Sequence, residues 1–373
     1  MIERELQSVI EGKLFKGKAI IIMGPRQVGK TTLLSQLSEK INIPILVLNC
    51  DEPEVRELLT DANSVKLQLL IGSHKIVMID EAQRVKNIGL TLKLIIDNFK
   101  DVQLIVTGSS SLELGNEINE PLTGRKFEYT LFPLSSKELI KEKGFLAEKQ
   151  LFESRIIYGS YPDVINNPQD SKELLMNIAE SYLYKDLLSL QDIRKPALLE
   201  KLLIALALQM GSEVSYNEIA QTIHSDHKTV EKYIDLLEKC FVIFRLNAFS
   251  RNLRTELKKS KKIYFCDNGI RNAVLQNFSP LSLRSDVGAL WENYFISERL
   301  KSNCYSVRFV NSYFWRTTQQ QEIDLIEEAD GQISAYEMKW NENKTSSFPQ
   351  SFLKSYNIKE AVTVTPKNYL DYL

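Results

Sequence analysis

Short apolar runs alternate with amphipathic stretches over the first third of the chain. The separating stretches have helical periodicity, as in Thr31–Lys40 and Leu90–Phe99. Buried strands that alternate with helices are typical of a parallel sheet covered on both faces. The runs are Ala19–Met23, Ile45–Leu48, Ile76–Ile79, Leu104–Thr107 and Phe127–Leu131. We therefore predict a first α/β domain over residues 1–135, with the fifth run completing its sheet.

The pattern beyond residue 135 divides the chain into three further regions. Residues 136–211 are predicted to be helical, and residues 212–285 to form a helix, a turn, a second helix and a strand pair. Residues 286–373 are predicted to open with an amphipathic helix that ends near Leu300. The elements predicted after that helix are strands at Tyr305–Val310, Tyr313–Arg316, Glu322–Glu327 and Ile333–Trp340, a helix near Phe352–Tyr356 and a strand at Ala361–Thr365.

The composition is that of an ordinary soluble protein. Of 373 residues, 43% are hydrophobic and 25% are charged, and the net charge of -1 means that charge must be read locally. The longest strongly apolar run, Leu202–Leu208, is far shorter than the roughly 20 residues that cross a bilayer. The four cysteines form no CxxC pair, which argues against a zinc site or a disulfide framework. We expect a cytoplasmic protein with reduced thiols and no membrane partner.

A phosphate-binding loop follows the first apolar run. Residues 24–32 read GPRQVGKTT and match G-x-x-x-x-G-K-[ST] between a strand and a helix. The two glycines let backbone N–H groups turn toward phosphates, and the helix start adds partial positive charge. Lys30 is predicted to neutralise the β and γ phosphates of ATP or a related triphosphate, and Thr31 to hold Mg²⁺. The predicted nucleotide contacts are Gly24, Pro25, Arg26, Gln27, Val28, Gly29, Lys30, Thr31 and Thr32.

Acidic and hydroxyl side chains end two later strands. Asp80 and Glu81 follow the third apolar run, at the strand end where ligands of open α/β sheets bind. We expect Asp80 to hold the magnesium shell and Glu81 to orient or deprotonate the attacking water, although an acidic pair can also cap a helix. Thr107 or Ser109 either touches the γ-phosphate or the water, or belongs to a turn. Arg125 could contact a γ-phosphate in cis or across a subunit contact, or lie solvated.

Four motifs together resemble one family. GPRQVGKTT, the Asp80–Glu81 pair, TGSS at Thr107–Ser110 and GSYP at Gly159–Pro162 are similar to motifs of AAA+-related prokaryotic ATPases that carry a C-terminal domain of unknown function. The resemblance covers nearly the whole chain. It implies ATP hydrolysis, an ASCE-type parallel sheet that separates the Walker B strand from the P-loop strand, and a nuclease-like tail. The expected fold is multidomain α/β.

The middle of the chain resembles a winged helix-turn-helix over Ser215–Cys240. Ser225 is expected to cap the second helix, whose outer face carries Lys228 and Lys232, and such a helix fits the DNA major groove. A basic segment follows in which six basic residues accompany one acid: Arg251, Arg254, Lys258, Lys259, Lys261 and Lys262. Phosphate contact is the functional interpretation of this stripe. A solvated loop, or a protein contact over the ATPase domain, is the alternative.

The tail resembles the PD-(D/E)XK nuclease core. Asp324 lies in one predicted strand, and Glu337 and Lys339 lie two residues apart in the next, so the latter two point to one side of the sheet. The resemblance implies that Asp324 and Glu337 hold a second divalent ion, that Lys339 orients or activates water, and that Glu292 on the opening helix supports the shell. A salt-bridged solvent face is the alternative.

Three functions fit these observations. The leading one is a magnesium-dependent ATPase of AAA+-like type whose nucleotide state gates how the winged helix and the tail engage nucleic acid. The second is an ATP-gated module for self-association or for a partner protein, with an inactive tail. The third is an ATP-dependent nuclease.

Overall fold

The structure is a computed structural model that describes residues 2–109, 113–181, 195–249, 261–317 and 319–373. The chain divides into two compact units. The first comprises Met1–Leu134 with Lys239–Phe241, and the second comprises Ser135–Glu238 with Val242–Leu373. Among the described residues, no helix is long and apolar enough to span a bilayer.

A five-stranded parallel sheet forms the centre of the first unit. Its strands are β1 (Ala19–Met23), β2 (Ile45–Asn49), β3 (Ile76–Asp80), β4 (Gln103–Gly108) and β5 (Lys126–Thr130). The spatial order is β2-β3-β4-β1-β5, so β4 lies between the P-loop strand β1 and the acid-bearing strand β3. The expected separation of the Walker B strand β3 from the P-loop strand β1 is confirmed, and β5 completes the sheet as its last strand, as expected.

One helix precedes β1 in the first unit, and helices follow each of the strands β1 to β4. They are α1 (Glu5–Glu11), α2 (Lys30–Lys40), α3 (Pro53–Leu59), α4 (Ser64–Ile71), α5 (Ile88–Asn98) and α6 (Glu113–Ile118), with a 3₁₀ turn at Ala82–Arg84. Strands β1, β3 and β4 are buried along their whole length, as the continuous apolar runs predicted. Because all five strands are parallel, their carboxyl ends lie on the same side of the sheet.

Helices make up the first part of the second unit and also lie between strands in the rest of it. Those among the described residues are α7 (Ser136–Lys143), α8 (Phe145–Gln150), α9 (Phe152–Tyr158), α10 (Pro162–Asn166), α11 (Ser171–Ile178), α12 (Pro196–Leu208), α13 (Tyr216–Thr222), α14 (His227–Lys239), α15 (Asn268–Val274), α16 (Val287–Tyr305) and α17 (Gln350–Ser355). Helices α13 and α14 are the predicted helix-turn-helix pair. Asp226 rather than Ser225 caps α14, because its carboxylate accepts the backbone N–H of Thr229 at 2.9 Å.

One seven-stranded sheet runs through the rest of the second unit in the order β12-β11-β10-β9-β7-β8-β6. Its strands are β6 (Glu213–Val214), β7 (Ile243–Ala248), β8 (Lys261–Phe265), β9 (Asn311–Arg316), β10 (Glu322–Ala329), β11 (Gln332–Met338) and β12 (Ile358–Val364). Strand β7 pairs in parallel with β9 through Asn247 and Tyr313. Backbone hydrogen bonds therefore join strands that lie on either side of the boundary predicted at residue 285, and that boundary stays a prediction.

The strand predicted at Tyr305–Val310 is wrong. Helix α16 continues to Tyr305, and β9 begins only at Asn311. The apolar side chains that suggested a strand are not buried in a sheet, since Phe309 is 95% exposed and Val307 has a positive φ of 52°. After this shift, the tail has the predicted order of one helix, three strands, one helix and one strand.

The glycine of the GSYP motif lies against the side chain of Asp267 in the second unit. Gly159 has a φ of 67°, and a Cβ there would lie 2.0 Å from a carboxylate oxygen of Asp267. That carboxylate accepts the backbone N–H of Ser160 at 2.8 Å. The Ser160 hydroxyl in turn lies 3.2 Å from Lys301 Nζ, which also bonds Glu298 at 2.6 Å. The motif therefore has a structural role in a buried polar network.

Candidate functional site

The loop between β1 and α2 lies at the carboxyl ends of the strands of the five-stranded sheet. Its two fixed glycines are required by geometry. A Cβ at Gly24 would meet the backbone oxygen of Leu131 at 2.1 Å, and Gly29 has a left-handed φ of 94°. Gly24 therefore lets the P-loop backbone pass close to Leu131, in the chain that follows β5, where a side chain would clash.

Lys30 lies inside this loop, and its side chain is only 4% exposed. Its ammonium donates to the carbonyl oxygens of Gly24 and Pro25, both at 3.0 Å. Burial lowers the pKa of Lys30, while the nearby carboxylates of Glu81 and Asp80 oppose that effect. An anionic ligand at the loop would add to these carboxylates and favour the charged amine.

Asp80 joins the P-loop helix to two strands. Its Oδ2 accepts the Thr31 hydroxyl at 2.6 Å, and its Oδ1 accepts the hydroxyl of Thr107. Thr107 is fully buried and also accepts the backbone N–H of Glu81 at 3.1 Å. A hydroxyl and a carboxylate in contact are the hard oxygen ligands that Mg²⁺ takes beside a triphosphate, so these residues fit that ion. The Thr107 hydroxyl therefore helps to orient the Asp80 carboxylate.

Glu81 extends beyond the strand toward Lys30. Its backbone is left-handed, with a φ of 53°, and its carboxylate lies 3.9 Å from Lys30 Nζ. The amide of Gln83 donates to Glu81 at 2.5 Å and to the hydroxyl of Ser109 at 2.9 Å. Sequence reasoning missed Gln83. Its position two residues after Glu81, in the turn that follows the acidic pair, was the available signal.

Arg4 is a second residue that the sequence did not reveal. It is buried, and its guanidinium donates to the carbonyl oxygens of Val28 at 2.7 Å and Phe132 at 2.6 Å. It thus braces the P-loop against the chain that follows β5. No sequence motif marks it, because an isolated arginine in an N-terminal segment has no pattern to match.

Arg125 lies near the amino ends of the strands, whereas the P-loop lies at their carboxyl ends. Its carbonyl accepts the N–H of Ala19, the first residue of β1, and its guanidinium pairs with Asp97 at 3.0 Å. The P-loop follows the other end of β1. A γ-phosphate contact in cis is therefore wrong for this arginine, and a contact across subunits stays a prediction.

The candidate nucleic-acid residues divide into three groups. Lys228 and Lys232 are exposed on α14, opposite a buried stripe that includes Val230 and Leu237. Lys261 lies at the start of β8, with its ammonium 5.4 Å from the ring centre of Tyr216. Arg251, Arg254, Lys258 and Lys259 lie outside the described residues.

Lys262 does not belong to an exposed basic stripe. Its side chain is 2% exposed and points into the tail cluster, which we define as Glu292, Glu322, Asp324, Glu337 and Lys339. Its ammonium lies 2.5 Å from Glu322, 3.3 Å from Glu292 and 3.9 Å from Asp324. Alternation along β8 turns Lys262 inward while Lys261 points to the other face. A surface phosphate contact is therefore wrong for Lys262.

The predicted nuclease-like residues are close together but already engaged. Asp324 accepts the backbone N–H of Met338 at 2.9 Å, and Lys339 donates to Glu337 at 2.9 Å. Burial lowers the pKa of Lys262, but Glu292, Asp324 and Glu322 outweigh it and raise that pKa.

Burial and the neighbouring Asp324 raise the pKa values of Glu292 and Glu337. Within the described ranges, no group of three or more His, Cys, Asp or Glu residues is placed to hold a metal ion. The tail cluster as arranged does not fit a second divalent ion.

Comparison with protein families divides the chain into three matched segments. Residues 16–140 match the family described as an AAA domain. Residues 149–281 match a domain of unknown function, DUF8612, and residues 287–372 match another, DUF4143. The middle match continues from the helices of the second unit into the strand pair of β7 and β8 and ends before the helix α16.

Similar proteins occur in bacteria and archaea. The uncharacterized protein Rv2008c of Mycobacterium tuberculosis is 27% identical over 342 residues, which cover 90% of this chain and 73% of that protein. An uncharacterized protein of Haemophilus influenzae is 28% identical over 295 residues, or 73% of each chain. The uncharacterized protein MJ1544 of Methanocaldococcus jannaschii is 28% identical over 308 residues, covering 76% of this chain and 67% of that protein.

Among solved structures, the crystal structure of Pif1 helicase from Candida albicans is similar with a TM-score of 0.26 and 16% identity. The match covers 48% of this chain and 47% of that one, so this chain spans about half of the helicase chain's length. No conclusion follows from a superposition at that TM-score. The sheet order, the loop and the family match together identify residues 16–140 as a P-loop NTPase domain of AAA type, followed by a C-terminal domain of unknown function.

Proposed function

We propose that this protein is a magnesium-dependent ATPase whose nucleotide cycle controls contacts made by its second unit. One observation carries the proposal. The Thr31 hydroxyl and the Asp80 carboxylate meet at 2.6 Å, beside a buried lysine that already lies within the glycine-bent loop. Residues from α2 and β3 thus supply the two kinds of group, a cation and hard oxygens, that a metal–triphosphate complex needs.

Lys30 would exchange its two carbonyl partners for β- and γ-phosphate oxygens when the nucleotide binds. Thr31 and Asp80 would hold Mg²⁺, which supplies charge neutralisation across the β and γ phosphates. Arg4 would keep the loop open by its bond to the Val28 carbonyl. The backbone N–H groups of the loop would donate hydrogen bonds to the remaining phosphate oxygens.

Glu81 would accept the proton of the attacking water. The water oxygen forms a bond to the γ-phosphorus, the bond to the β–γ bridging oxygen breaks, and the proton passes to the Glu81 carboxylate. Gln83 would hold that carboxylate through its amide N–H. The amide oxygen of Gln83 is buried and has no hydrogen-bond partner among the described residues.

The direct test is phosphate release from Mg·ATP by the purified chain. We expect turnover with wild type, none when Mg²⁺ is removed with a chelator, and a loss of at least about 10²-fold in Asp80→Asn. Glu57→Gln, an exposed substitution on α3, is the matched control and should turn over normally. Equal rates in wild type and Asp80→Asn would reject the proposed metal site.

We further propose that the second unit acts on or with nucleic acid. Support comes from Lys228 and Lys232, which are exposed on the outer face of α14 one turn apart. Acidic residues on the same helix, including Glu231 and Asp235, limit the positive charge of this face. We therefore expect a phosphate contact of modest strength rather than base reading.

Anisotropy with a labelled DNA duplex tests this part. The double change Lys228→Glu with Lys232→Glu should weaken binding of all sequences alike and reduce the salt slope by about two. Lys172→Glu with Lys201→Glu, two exposed positions on other helices, is the charge-matched control. If both doubles bind as wild type does, or if DNA leaves ATP turnover unchanged, the ATP-gated protein-interaction module becomes the better account.

A further inference from the structure

Lys262 has the position that a divalent ion takes among clustered carboxylates. Its ammonium is within 4.0 Å of oxygens on Glu292, Glu322 and Asp324, which come from α16 and from two same-facing positions of β10. These contacts surround one cation with three carboxylates. A hard metal ion needs the same kind of oxygen shell.

The lysine is held in place by its surroundings. Its stem is buried on β8, between neighbours β7 and β6, and its ammonium lies 5.6 Å from the ring centre of Phe314. Tyr264, two residues further along the same face of β8, donates its hydroxyl to Glu292 at 2.6 Å. The ammonium of Lys262 and its partner Glu292 are therefore both positioned by a strand that also belongs to the helix-turn-helix region.

With the lysine present, the tail cluster has one carboxylate more than it has cationic neighbours. Its four carboxylates face three cationic side chains, those of Lys262, Lys339 and Arg316, and the last lies 3.8 Å from Glu322 and 3.6 Å from Glu213. Without Lys262, two cations would remain against four carboxylates. The deficit would then be the charge of one divalent ion, whereas with Lys262 present such an ion would meet a fixed like charge at contact distance.

We propose that the Lys262 ammonium replaces the divalent cation of the nuclease-like tail, so that the tail cluster is a fixed ionic joint rather than a metal site for phosphodiester cleavage. The joint connects β8, which follows the helix-turn-helix, to α16 and β10 of the tail. This inference does not depend on the proposed ATPase activity, because every residue in it belongs to the second unit.

Removing the lysine should create the metal site that the wild type lacks. We would compare Mn²⁺ binding by electron paramagnetic resonance, without nucleotide, in wild type and Lys262→Met, which keeps the length of the stem. The P-loop contributes equally to both proteins. We expect at least tenfold tighter Mn²⁺ binding in Lys262→Met, and loss of that gain when Asp324→Asn is added.

Two outcomes would overturn the proposal. One is a folded Lys262→Met, judged by circular dichroism, that gains no Mn²⁺ affinity. The other is a wild type that binds Mn²⁺ through Asp324, or that nicks supercoiled plasmid in a metal-dependent reaction lost on Glu337→Ala. If Lys262→Met does not fold, the wild-type measurements decide alone: absence of Asp324-dependent Mn²⁺ binding and of nicking supports the ionic joint.

Discussion

Replacing Glu81 with glutamine should separate nucleotide binding from hydrolysis. The glutamine oxygen can still accept the Gln83 amide, so the local geometry is kept while the proton acceptor is lost. General-base catalysis contributes about 10²- to 10⁴-fold, or about 3 to 5 kcal/mol of barrier. Turnover should fall by that factor.

The affinity of Glu81→Gln for ATP should not fall together with its turnover. The Glu81 carboxylate lies 3.9 Å from Lys30, and both side chains are shielded, at 17% and 4% exposure. At an effective dielectric constant near 20, such a pair attracts by about 4 kcal/mol before desolvation is counted. Without this competitor and with one negative charge fewer beside the phosphates, Lys30 is freer to bind them, so ATP affinity should be unchanged or higher.

Phosphate release under saturating Mg·ATP and equilibrium nucleotide binding measure the two effects separately. Glu57→Gln serves again as the exposed control. Unchanged kcat in Glu81→Gln would remove Glu81 from the chemical step. A tenfold or larger loss of ATP affinity would mean that the carboxylate builds the binding site instead, and the reasoning from the Lys30 pair would be refuted.

Two further changes test the nucleotide site, and a third tests the buried polar network around the GSYP motif. Gln83→Ala removes a hydrogen bond to a charged group, worth about 1.5–3 kcal/mol, so kcat should fall about 10- to 100-fold with little change in KM. Gly24→Ala would place a Cβ 2.1 Å from the Leu131 oxygen and should lower the free energy of unfolding by about 1–3 kcal/mol in urea titrations, whereas Gly12→Ala, with no contact under 3.6 Å, should be neutral. Asp267→Asn should lower the thermal midpoint of the second unit, because Lys301 and the Ser160 N–H lose a charged partner.

The sequence was sufficient for most of the first unit. Continuous apolar runs identified β1, β3 and β4 because these strands are buried on both faces, and the P-loop pattern identified the start of α2. Asp80 and Thr31 were predicted as partners, and they meet in the structure. The contribution of Arg4 could not be predicted, because it depends on contacts distant in sequence, whereas Gln83 was missed although it lies two residues after Glu81.

Prediction was weaker in the second unit for a different reason. Charge density along the chain suggested a surface stripe that included Lys262, but the side-chain direction on β8 depends on strand register, which the sequence did not supply. The parallel pairing between β7 and β9, which lie on either side of the boundary expected at residue 285, was likewise not predicted, because it leaves no local pattern. The end of α16 was misplaced because apolar residues of an exposed loop resemble a short strand.

Titration calorimetry of Mg·ATP into wild type and Lys30→Ala tests the central claim most directly. Two charge-assisted bonds from Lys30 to phosphate oxygens, at about 1.5–3 kcal/mol each, predict a loss of affinity of about 10²-fold or more in the variant. Circular dichroism should show that both proteins are folded. Equal affinity in the two proteins, or no binding by wild type, would contradict the account.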